Sequence, residues 1–331
     1  MEILKNLSRD VVEGIYKARE LSWRNFGKKI YFYAPGFVYY RNKYFRSSLT
    51  SFPSISVTGE YCALKCRHCG GRILETMISA QTPRKLMEVC SNLKKAGALG
   101  CLISGGCLPN GSVPIARFID AIAEVKRRLG LTIVIHTGLI DFETAKKLRE
   151  AKVDAVLIDI IGSDETIREI YRLHNASTKD YEKTLEALKR AEIPFVPHVL
   201  IGLHYGTIKG EFKALKMIEK YDPSALIFII FFPIRGTEME HVKPPPPSSV
   251  INVLVQARLM MPDVPIALGC ARPKGKHRVM TDLLAVEAGV NAIAFPSTES
   301  IRRAEELGLK ISFSRLCCSQ IYSEIRSLKN G

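Results

Sequence analysis

The chain has 331 residues, of which 47% are hydrophobic and 24% are charged, so length and composition predict an ordinary globular protein. Its 48 Lys and Arg against 33 Asp and Glu give a formal net charge of +15, which favours an acidic partner. The most apolar run, Ala225–Phe232, ends at Pro233, well short of the roughly 20 residues that a membrane span requires. This pattern excludes a membrane-spanning helix.

The nine cysteines predict metal or redox chemistry rather than a disulfide framework, because the first residues lack the apolar core of a signal peptide. We therefore expect a cytoplasmic protein with no membrane partner. Lys and Arg are scattered over the predicted helices, so a generally basic surface is the alternative to a docking surface for an acidic partner. No nucleic-acid-binding motif accompanies the charge, which disfavours nucleic acid as that partner.

Residues 1–53 predict an N-terminal extension to the main fold. A helical pattern begins at Ser8 or Asp10 and continues through Leu21. The aromatic segment Ile30–Tyr40 predicts two short strands around a Pro-Gly turn. We expect this hairpin to cover one end of the main domain.

From Ser54 onward, apolar β-rich runs alternate with amphipathic helical runs, a pattern typical of parallel βα units. Eight strands are predicted over residues 54–60, 100–105, 131–137, 154–161, 195–201, 225–232, 264–270 and 290–295. Helices are predicted over residues 83–96, 114–129, 141–151, 164–190, 209–220, 248–260, 276–288 and 298–307. At roughly 30 residues per unit, the pattern predicts an α/β fold, a (β/α)8 TIM-type barrel over 54–308, with a C-terminal tail over 309–331.

Three cysteines follow the first barrel strand at a C-x3-C-x2-C spacing: Cys62, Cys66 and Cys69. Thiolates suit iron, and three of them can hold three irons of a 4Fe-4S cluster, which leaves the fourth iron open. A zinc site is the alternative, although structural zinc takes four ligands, usually as two separated pairs. The motif resembles that of the radical S-adenosylmethionine (SAM) superfamily, in which the open iron chelates the amino and carboxylate groups of SAM.

The chemistry of a barrel lies at the C-terminal ends of its strands. The second strand ends in Ser104-Gly105-Gly106, which resembles the Gly-Gly-Glu motif that binds the methionine part of SAM, with Cys107 replacing the acidic residue. Asp159 is a lone charge in an apolar strand and needs a hydrogen bond, either to the ribose of SAM or to the barrel rim. The resemblance also places Gly202 near the adenine.

His136 and His198 lie in the third and fifth predicted strands. Three roles stay open for each of them: a packed core histidine, a substrate contact or a cluster ligand. Neither the spacing nor the neighbouring residues decide among these roles.

Six cysteines remain outside the C-x3-C-x2-C motif. Cys90 and Cys101 fall on apolar positions of predicted elements and are expected in the core. The other four lie at strand ends or in the tail and predict an auxiliary iron–sulfur cluster: Cys107, Cys270, Cys317 and Cys318. The alternative is that these four are redox-idle and that Cys107 only lines the SAM site.

Within the superfamily, the eight-unit barrel, the extension and the neighbouring Cys270 and Arg272 are similar to biotin synthases. Those enzymes insert sulfur taken from an auxiliary cluster inside the barrel, with an arginine among its ligands. Several segments, Leu268–Pro273 among them, also resemble one subunit of the archaeal-type two-component lipoyl synthase. This resemblance implies a sulfurtransferase of lipoate biosynthesis, in which a 5′-deoxyadenosyl radical takes hydrogen from an octanoyl chain on a carrier-protein lysine and the auxiliary cluster supplies sulfur.

The same resemblance implies three partners: an acidic lipoyl carrier protein or domain, a second radical SAM subunit and an electron donor such as ferredoxin. Three other function classes stay open, of which nucleic-acid modification is suggested only by the charge. The second is a biotin synthase-like isomerase or cofactor maturase that inserts no sulfur. The third is a non-catalytic iron–sulfur or zinc protein, which would not cleave SAM after reduction.

Overall fold

A computed structural model describes residues 2–5, 7–36, 40–48 and 50–327. In this part of the chain, one sheet of 11 strands is flanked by helices. The strands are β1 (Lys29–Tyr33), β2 (Ser54–Ser56), β3 (Ile78–Ser79), β4 (Gly100–Ser104), β5 (Thr132–His136), β6 (Ala155–Asp159), β7 (Phe195–Ile201), β8 (Leu226–Ile230), β9 (Ile266–Leu268), β10 (Ala292–Ala294) and β11 (Lys310–Ser314). Each of the eight predicted barrel strands coincides with one of β2 and β4–β10, so the α/β class and the barrel-type sheet are confirmed.

The first helix precedes β1, and after β3 helices and strands alternate, with two helices between β6 and β7. They are α1 (Arg9–Phe26), α2 (Pro83–Lys95), α3 (Ile119–Leu129), α4 (Phe142–Glu150), α5 (Asp164–Glu169), α6 (Thr178–Arg190), α7 (Glu211–Ile218), α8 (Pro247–Met260), α9 (Lys276–Glu287), α10 (Thr298–Glu306) and α11 (Ile321–Ser327). Short 3-10 helices cover Glu2–Leu4, Arg72–Thr76, Ile115–Phe118, Glu219–Tyr221 and Cys318–Gln320. Among the described helices, none combines the length and apolarity needed to cross a membrane.

The hydrogen-bonded order of the strands is β11-β1-β10-β9-β8-β7-β6-β5-β4-β2-β3, and every described pairing of strands is parallel. Because all strands run the same way, their carboxyl ends lie at one rim. The sheet curls like that of a barrel. Within the described residues its strand order is open, with β3 and β11 at the two edges. The strand cores are uniformly apolar, as in Ala155–Ile158, because helices cover one face and the interior the other.

The sheet extends beyond the predicted barrel at both ends of the chain. β1 lies between β10 and β11, and its residues Ile30 and Phe32 are fully buried. The N-terminal extension and the tail therefore each contribute a strand to the sheet. The hairpin predicted over 30–40 is replaced by a parallel strand in its first half, and its second half falls largely on residues 37–39, outside the described residues.

The single helix predicted over 164–190 is wrong, because the structure has two helices, α5 and α6. Arg172, which follows α5, adopts a φ of +56°, a left-handed conformation that ends a helix. The backbone N–H of Ser177 donates to the carboxylate of Asp180 (2.9 Å) and starts α6. This break leaves Tyr171 on an irregular segment beside the carboxyl end of the sheet.

The C-terminal tail packs into the space that the sheet encloses. Cys318 and Ile321 are buried together with inward-facing strand residues such as Leu157 and Ile227. The hydroxyl of Tyr322 donates to the carbonyl oxygen of Asp154, just before β6. The tail cysteines therefore lie in the interior of the sheet rather than on its surface.

Candidate functional site

Cys62, Cys66 and Cys69 are buried on the loop that follows β2. The carbonyl of Cys66 accepts hydrogen bonds from the N–H groups of Cys69 (3.1 Å) and Gly70 (2.7 Å), so the loop turns tightly there. The Sγ atoms of Cys66 and Cys69 and one ring nitrogen of His68 all lie within 4.8 Å of one another. The loop thus gathers soft donors at the carboxyl end of a strand.

The three thiols influence one another's protonation. The pKa of Cys66 lies well above its usual value because of its hydrogen bond with Cys69, its burial, and the charges of Cys69 and Cys62. The pKa of Cys69 falls to about 4, chiefly because of the same hydrogen bond, with a further contribution from His68. The Cys69 thiolate is the protonation state that binds metal ions.

Gly105 and Gly106, which follow β4, pack directly against this loop. A Cβ atom at Gly106 would lie 2.0 Å from the carbonyl oxygen of Tyr61 and 2.6 Å from Cα of Cys62. A Cβ atom at Gly105 would lie 3.0 Å from Oγ1 of Thr58, a much milder contact. The close backbone approach at Gly106 therefore excludes every other residue.

Backbone hydrogen bonds join the same two segments. The N–H of Gly106 donates to Oγ1 of Thr58 (2.7 Å), and the N–H of Ala63 donates to the carbonyl of Cys107 (2.8 Å). The Oγ of Ser104 donates to the carbonyl of His136 (3.1 Å), so this side chain ties β4 to β5. The predicted methionine-binding segment is thus built onto the cysteine loop.

The segment between α5 and α6 holds the other side of the loop. The backbone N–H of Arg67 donates to the carbonyl of Ile170 (2.9 Å), and Nη1 of Arg172 donates to the carbonyl of Lys65 (3.1 Å). The guanidinium groups of Arg67 and Arg172 both pair with the carboxylate of Glu238. These contacts fix the middle of the cysteine loop against the segment that follows α5 and the loop that follows β8.

Asp159 ends β6 and lies opposite His198 in the register of β6 and β7. Its carboxylate accepts a hydrogen bond from the Tyr171 hydroxyl (3.0 Å) and lies 3.3 Å from Nε2 of His136. Burial acts to raise the pKa of Asp159, but the charges of His136 and His198 and the Tyr171 hydrogen bond outweigh it and hold the pKa well below its usual range. Asp159 is therefore an ionised acceptor at the rim.

His198 lies beside this carboxylate as a neutral imidazole. Its Nδ1 lies 3.1 Å from the carbonyl of Val196, which can only accept, so Nδ1 carries the hydrogen and Nε2 remains an acceptor. Burial and the charge of His136 lower the pKa of His198 to about 4, and Asp159 opposes this shift. One ligand atom from each of Asp159, His136 and His198 lies within 4.8 Å of the others. The group offers acceptors for ligand hydroxyl groups.

Gly202 follows β7 with a φ of +76°, and a Cβ atom there would lie 2.5 Å from the ring of Pro245. Its N–H donates to Oε1 of Glu211 (2.7 Å), a buried carboxylate whose pKa is raised by burial. The other oxygen of Glu211 is buried with no hydrogen-bond partner among the described residues. Glu211 therefore fixes the turn that the sequence placed near adenine.

The remaining cysteines divide into distinct groups. Cys107 packs with the buried cluster that includes the loop cysteines, and its pKa is raised to about 12 by burial, then by the charges of Cys62, Asp159 and Cys69. The structure therefore places Cys107 apart from the tail cysteines. Cys90 and Cys101 are fully buried beside each other, which confirms their expected place in the core.

Cys270, Cys317 and Cys318 come together in the interior of the sheet. Burial raises the pKa of Cys270 to about 11, and the charge of Cys317 adds to the shift. The pKa of Cys317 is lowered to about 7, chiefly by a hydrogen bond from Cys318. The structure thus places one thiol that follows β9 and two thiols of the tail in the same interior cluster, separate from the cysteine loop, but their Sγ atoms do not all lie within 4.8 Å of one another.

Arg272 lies fully buried beside these thiols and is paired with Asp282, with 3.0 Å between Nε and Oδ1. Its other donors reach the carbonyls of Phe295 (3.2 Å) and Gly269. Because these protein groups engage all three guanidinium nitrogens, Arg272 fixes the loop that carries Cys270. This arrangement differs from the cluster-ligating arginine that the resemblance implies.

The donor set at the cysteine loop fits an iron–sulfur cluster. All three thiols are buried on this loop, and those of Cys66 and Cys69 lie within 4.8 Å of one another. Nδ1 of His68 is buried there without a hydrogen-bond partner among the described residues. Residues 56–215 match the model of the radical SAM superfamily. These residues, slightly less than half of the chain, are similar to the radical SAM superfamily.

The proteins similar to this chain carry different names. The biotin synthase of Leptospira biflexa serovar Patoc is 25% identical over 222 residues, which are 66% of this chain and 62% of the relative, so the chain spans about three fifths of its length. The 3-methylornithine synthase of Methanosarcina acetivorans is 26% identical over 77% of this chain and 75% of the relative. The crystal structure of methylornithine synthase (PylB) has the same fold, with a TM-score of 0.63, 19% identity, and coverage of 98% of this chain and 94% of that one.

Sequence reasoning missed several residues of this site. Tyr171 and Glu238 carry no motif, since they reach the loop from segments about 100 and 170 residues further along the chain. Glu211 was equally unpredictable, because its partner is a backbone N–H. His68 directly precedes Cys69 in the sequence, but its buried ring nitrogen is visible only in the coordinates.

Proposed function

We propose that this radical SAM enzyme inserts sulfur into an unactivated alkyl chain and that Cys270, Cys317 and Cys318 hold the sulfur-donating auxiliary cluster. The observation that carries the proposal is that these three thiols pack against one buried cluster inside the sheet, away from the cysteine loop. Their Sγ atoms do not all lie within 4.8 Å of one another, so binding of a cluster would draw them together. Two separate thiol groups in one barrel suit one cluster that starts the reaction and another that donates sulfur. The similarity to a biotin synthase supports this function class.

The first cluster would be held by Cys62, Cys66 and Cys69, with Gly105 and Gly106 giving the methionine end of SAM its backbone contacts. When bound, such a cluster supplies the electron that cleaves SAM to a 5′-deoxyadenosyl radical. The ionised Asp159 would accept hydrogen bonds from the ribose hydroxyls, with Tyr171 and His136 fixing its orientation. The apolar interior excludes water from the reacting groups.

We propose an octanoyl chain on a lysine of an acidic carrier protein as the substrate, which would make the protein one subunit of a lipoyl synthase. The charge of +15 and the basic loops at the strand-end rim support this choice. Six exposed cations on the loops around β1, β9 and β11 make no ion pair with described residues: Arg41, Lys43, Arg46, Lys274, Lys276 and Arg315. They lie on the segments that follow β1, β9 and β11, and we propose that the carrier docks on these segments.

Iron counting tests the auxiliary cluster. After anaerobic reconstitution, the unchanged protein should hold about eight irons, and the Cys270→Ala/Cys317→Ala/Cys318→Ala variant about four. The variant should still cleave SAM after reduction with dithionite but add no sulfur to an octanoyl-lysine carrier, measured by mass spectrometry. Cys90→Ala, at a buried core cysteine, is the matched control and should keep all iron. Equal iron in the triple variant and the unchanged protein would contradict the proposal.

A reaction without sulfur insertion is the second candidate, and the 26% identity to a 3-methylornithine synthase over 77% of this chain favours it. In that case the unchanged protein would hold about four irons, cleave SAM and leave the octanoyl carrier unmodified. A sulfur mass gain on the carrier, with a partner subunit and a ferredoxin-type electron donor supplied, would exclude it. Reversing the charge of Lys274 and Lys276 to Glu should weaken carrier binding, while the same change at Lys146 and Lys147 on α4 should not.

A further inference from the structure

His68 occupies the position before Cys69 and faces the thiols of the loop. One of its ring nitrogens lies within 4.8 Å of Sγ of both Cys66 and Cys69. Its ring packs against Tyr171, with 5.3 Å between centroids at an interplanar angle of 35°. The imidazole is therefore held in place by an aromatic neighbour on one side and by the cysteine loop on the other.

Nδ1 of His68 is buried and has no hydrogen-bond partner among the described residues. A buried polar atom without a partner is costly, and native proteins rarely keep one without a reason. An imidazole always carries at least one N–H. The His68 side chain hydrogen-bonds Cys69, so its N–H faces sulfur. With a cluster held by the three thiols, the acceptor of this N–H would be a cluster sulfur, either Sγ of Cys69 or a sulfide.

We propose that the His68 imidazole donates an N–H to a sulfur of the cluster held by Cys62, Cys66 and Cys69 and thereby raises its reduction potential. Reduction adds one electron to the cluster and increases its negative charge by one. A hydrogen-bond donor at a cluster sulfur stabilises the more negative form, and hydrogen bonds to sulfur are among the determinants of cluster potentials. The low local dielectric of a buried site strengthens this effect.

This role makes His68 a positioning and tuning residue rather than a catalytic one, and it holds whatever becomes of the substrate radical. The inference therefore stands or falls independently of sulfur insertion. An aromatic residue without a donor would pack equally well against Tyr171. What the imidazole adds is the hydrogen-bond donor.

The test is a redox titration of the reconstituted holoenzyme with dithionite as reductant, followed by electron paramagnetic resonance. Only the cluster with an open iron changes its signal when SAM is added, which distinguishes it from an auxiliary cluster. His68→Phe keeps an aromatic ring at this position and removes the hydrogen-bond donor. It should lower the equilibrium constant for one-electron reduction of the cluster about tenfold, which shifts the reduction potential by about 59 mV to more negative values. His68→Gln keeps an N–H donor and should return the potential toward that of the unchanged protein.

His174→Phe, at an exposed histidine on the segment before α6, is the matched control and should leave the potential unchanged. Iron is counted in every variant. An unchanged potential in His68→Phe at full iron content would show that the ring only packs, and the inference would fail. Loss of iron in His68→Phe would show that the imidazole holds the cluster itself, which also overturns a tuning role.

Discussion

Tyr171 and Cys66, 105 residues apart in the chain, meet at the centre of the site. Sγ of Cys66 lies 3.4 Å from the backbone carbonyl oxygen of Tyr171, within hydrogen-bond reach. The ring of Tyr171 packs against His68, and its hydroxyl donates to the carboxylate of Asp159 (3.0 Å). One residue therefore connects the cysteine loop to the ionised acceptor at the end of β6. The break between α5 and α6 is what makes both contacts possible.

Tyr171→Phe should remove the contact of Tyr171 with Asp159 and keep its contact with Cys66. The backbone contact to Cys66 remains, so the iron content of the reconstituted protein should not change. Asp159 loses a hydrogen bond made to a charged group, which should lower the free energy of unfolding by about 1.5–3 kcal/mol. Urea unfolding of the cluster-free protein measures this difference.

A double-mutant cycle with Asp159→Asn assigns the effect to the pair. If the hydroxyl acts through Asp159, the two changes together should cost less than the sum of each alone. Additive effects would mean that Tyr171 contributes through its packing against His68 instead. Tyr205→Phe, at an exposed tyrosine, serves as the control for removal of a hydroxyl.

Gly106→Ala should displace the cysteine loop. The new Cβ would lie 2.0 Å from a backbone oxygen and 2.6 Å from Cα of Cys62, and neither backbone atom can move without the loop. We expect loss of most of the iron that the loop binds and a lower melting temperature. Gly105→Ala is the graded control, because its closest contact is 3.0 Å from the Thr58 side chain. Equal iron retention by the two variants would contradict the assigned packing.

The sequence alone predicts much of this fold because parallel strands buried on both faces appear as continuous apolar runs. That signal locates β4 to β10 and the C-terminal strand ends where the polar residues gather. The aromatic segment Ile30–Tyr40 also predicts a strand where β1 lies, but the sequence cannot give the parallel pairing of β1 with β10 and β11, nor locate β11. Pairing of distant segments leaves no local periodicity.

The residues of the candidate site also divide into those that a local sequence pattern predicts and those whose partners are distant in the chain. Cys62, Cys66 and Cys69 are predictable because a cluster needs several thiolates at short spacing. The gathering of Cys270 with Cys317 and Cys318 was a hypothesis about tail placement, and only the packed tail shows that the three lie in the same interior cluster. The sequence could not assign Cys107, because its position at the end of a strand suited both the cysteine loop and the tail cysteines. The structure places it with Cys62 and Cys69. The engagement of Arg272 by Asp282 was likewise invisible, as the partner lies on α9.

The buried pair of Arg272 and Asp282 should dominate the stability of the loop that carries Cys270. Both side chains are fully buried, so Asp282→Asn leaves the Arg272 charge without a counterion and should cost about 3–5 kcal/mol of unfolding free energy. Urea unfolding checks this value. Glu88→Gln breaks the exposed pair with Lys85 and should cost less than about 1 kcal/mol. Comparable costs for the two variants would show that the buried pair is not held as described.

His198 should make stability depend on pH in a defined window. Its pKa is lowered from 6.5 to about 4 in the folded protein, by burial and the charge of His136 against the opposing charge of Asp159. Between these values the unfolded chain binds a proton that the folded protein does not, so the stability present above pH 6.5 is lost as the pH falls toward 4. The contribution has a slope of at most about 1.4 kcal/mol per pH unit.

His198→Gln removes this titration, and the matched exposed variant His174→Gln should not. We expect the difference in unfolding free energy between His198→Gln and the unchanged, cluster-free protein to vary with pH between 6.5 and about 4 and to level off above 6.5. Asp159 adds a separate loss at lower pH, because its depressed pKa favours the folded protein only while the carboxylate is ionised. A constant difference across the window would mean that His198 titrates alike in the folded and unfolded chain, and that its imidazole is not held neutral beside Asp159.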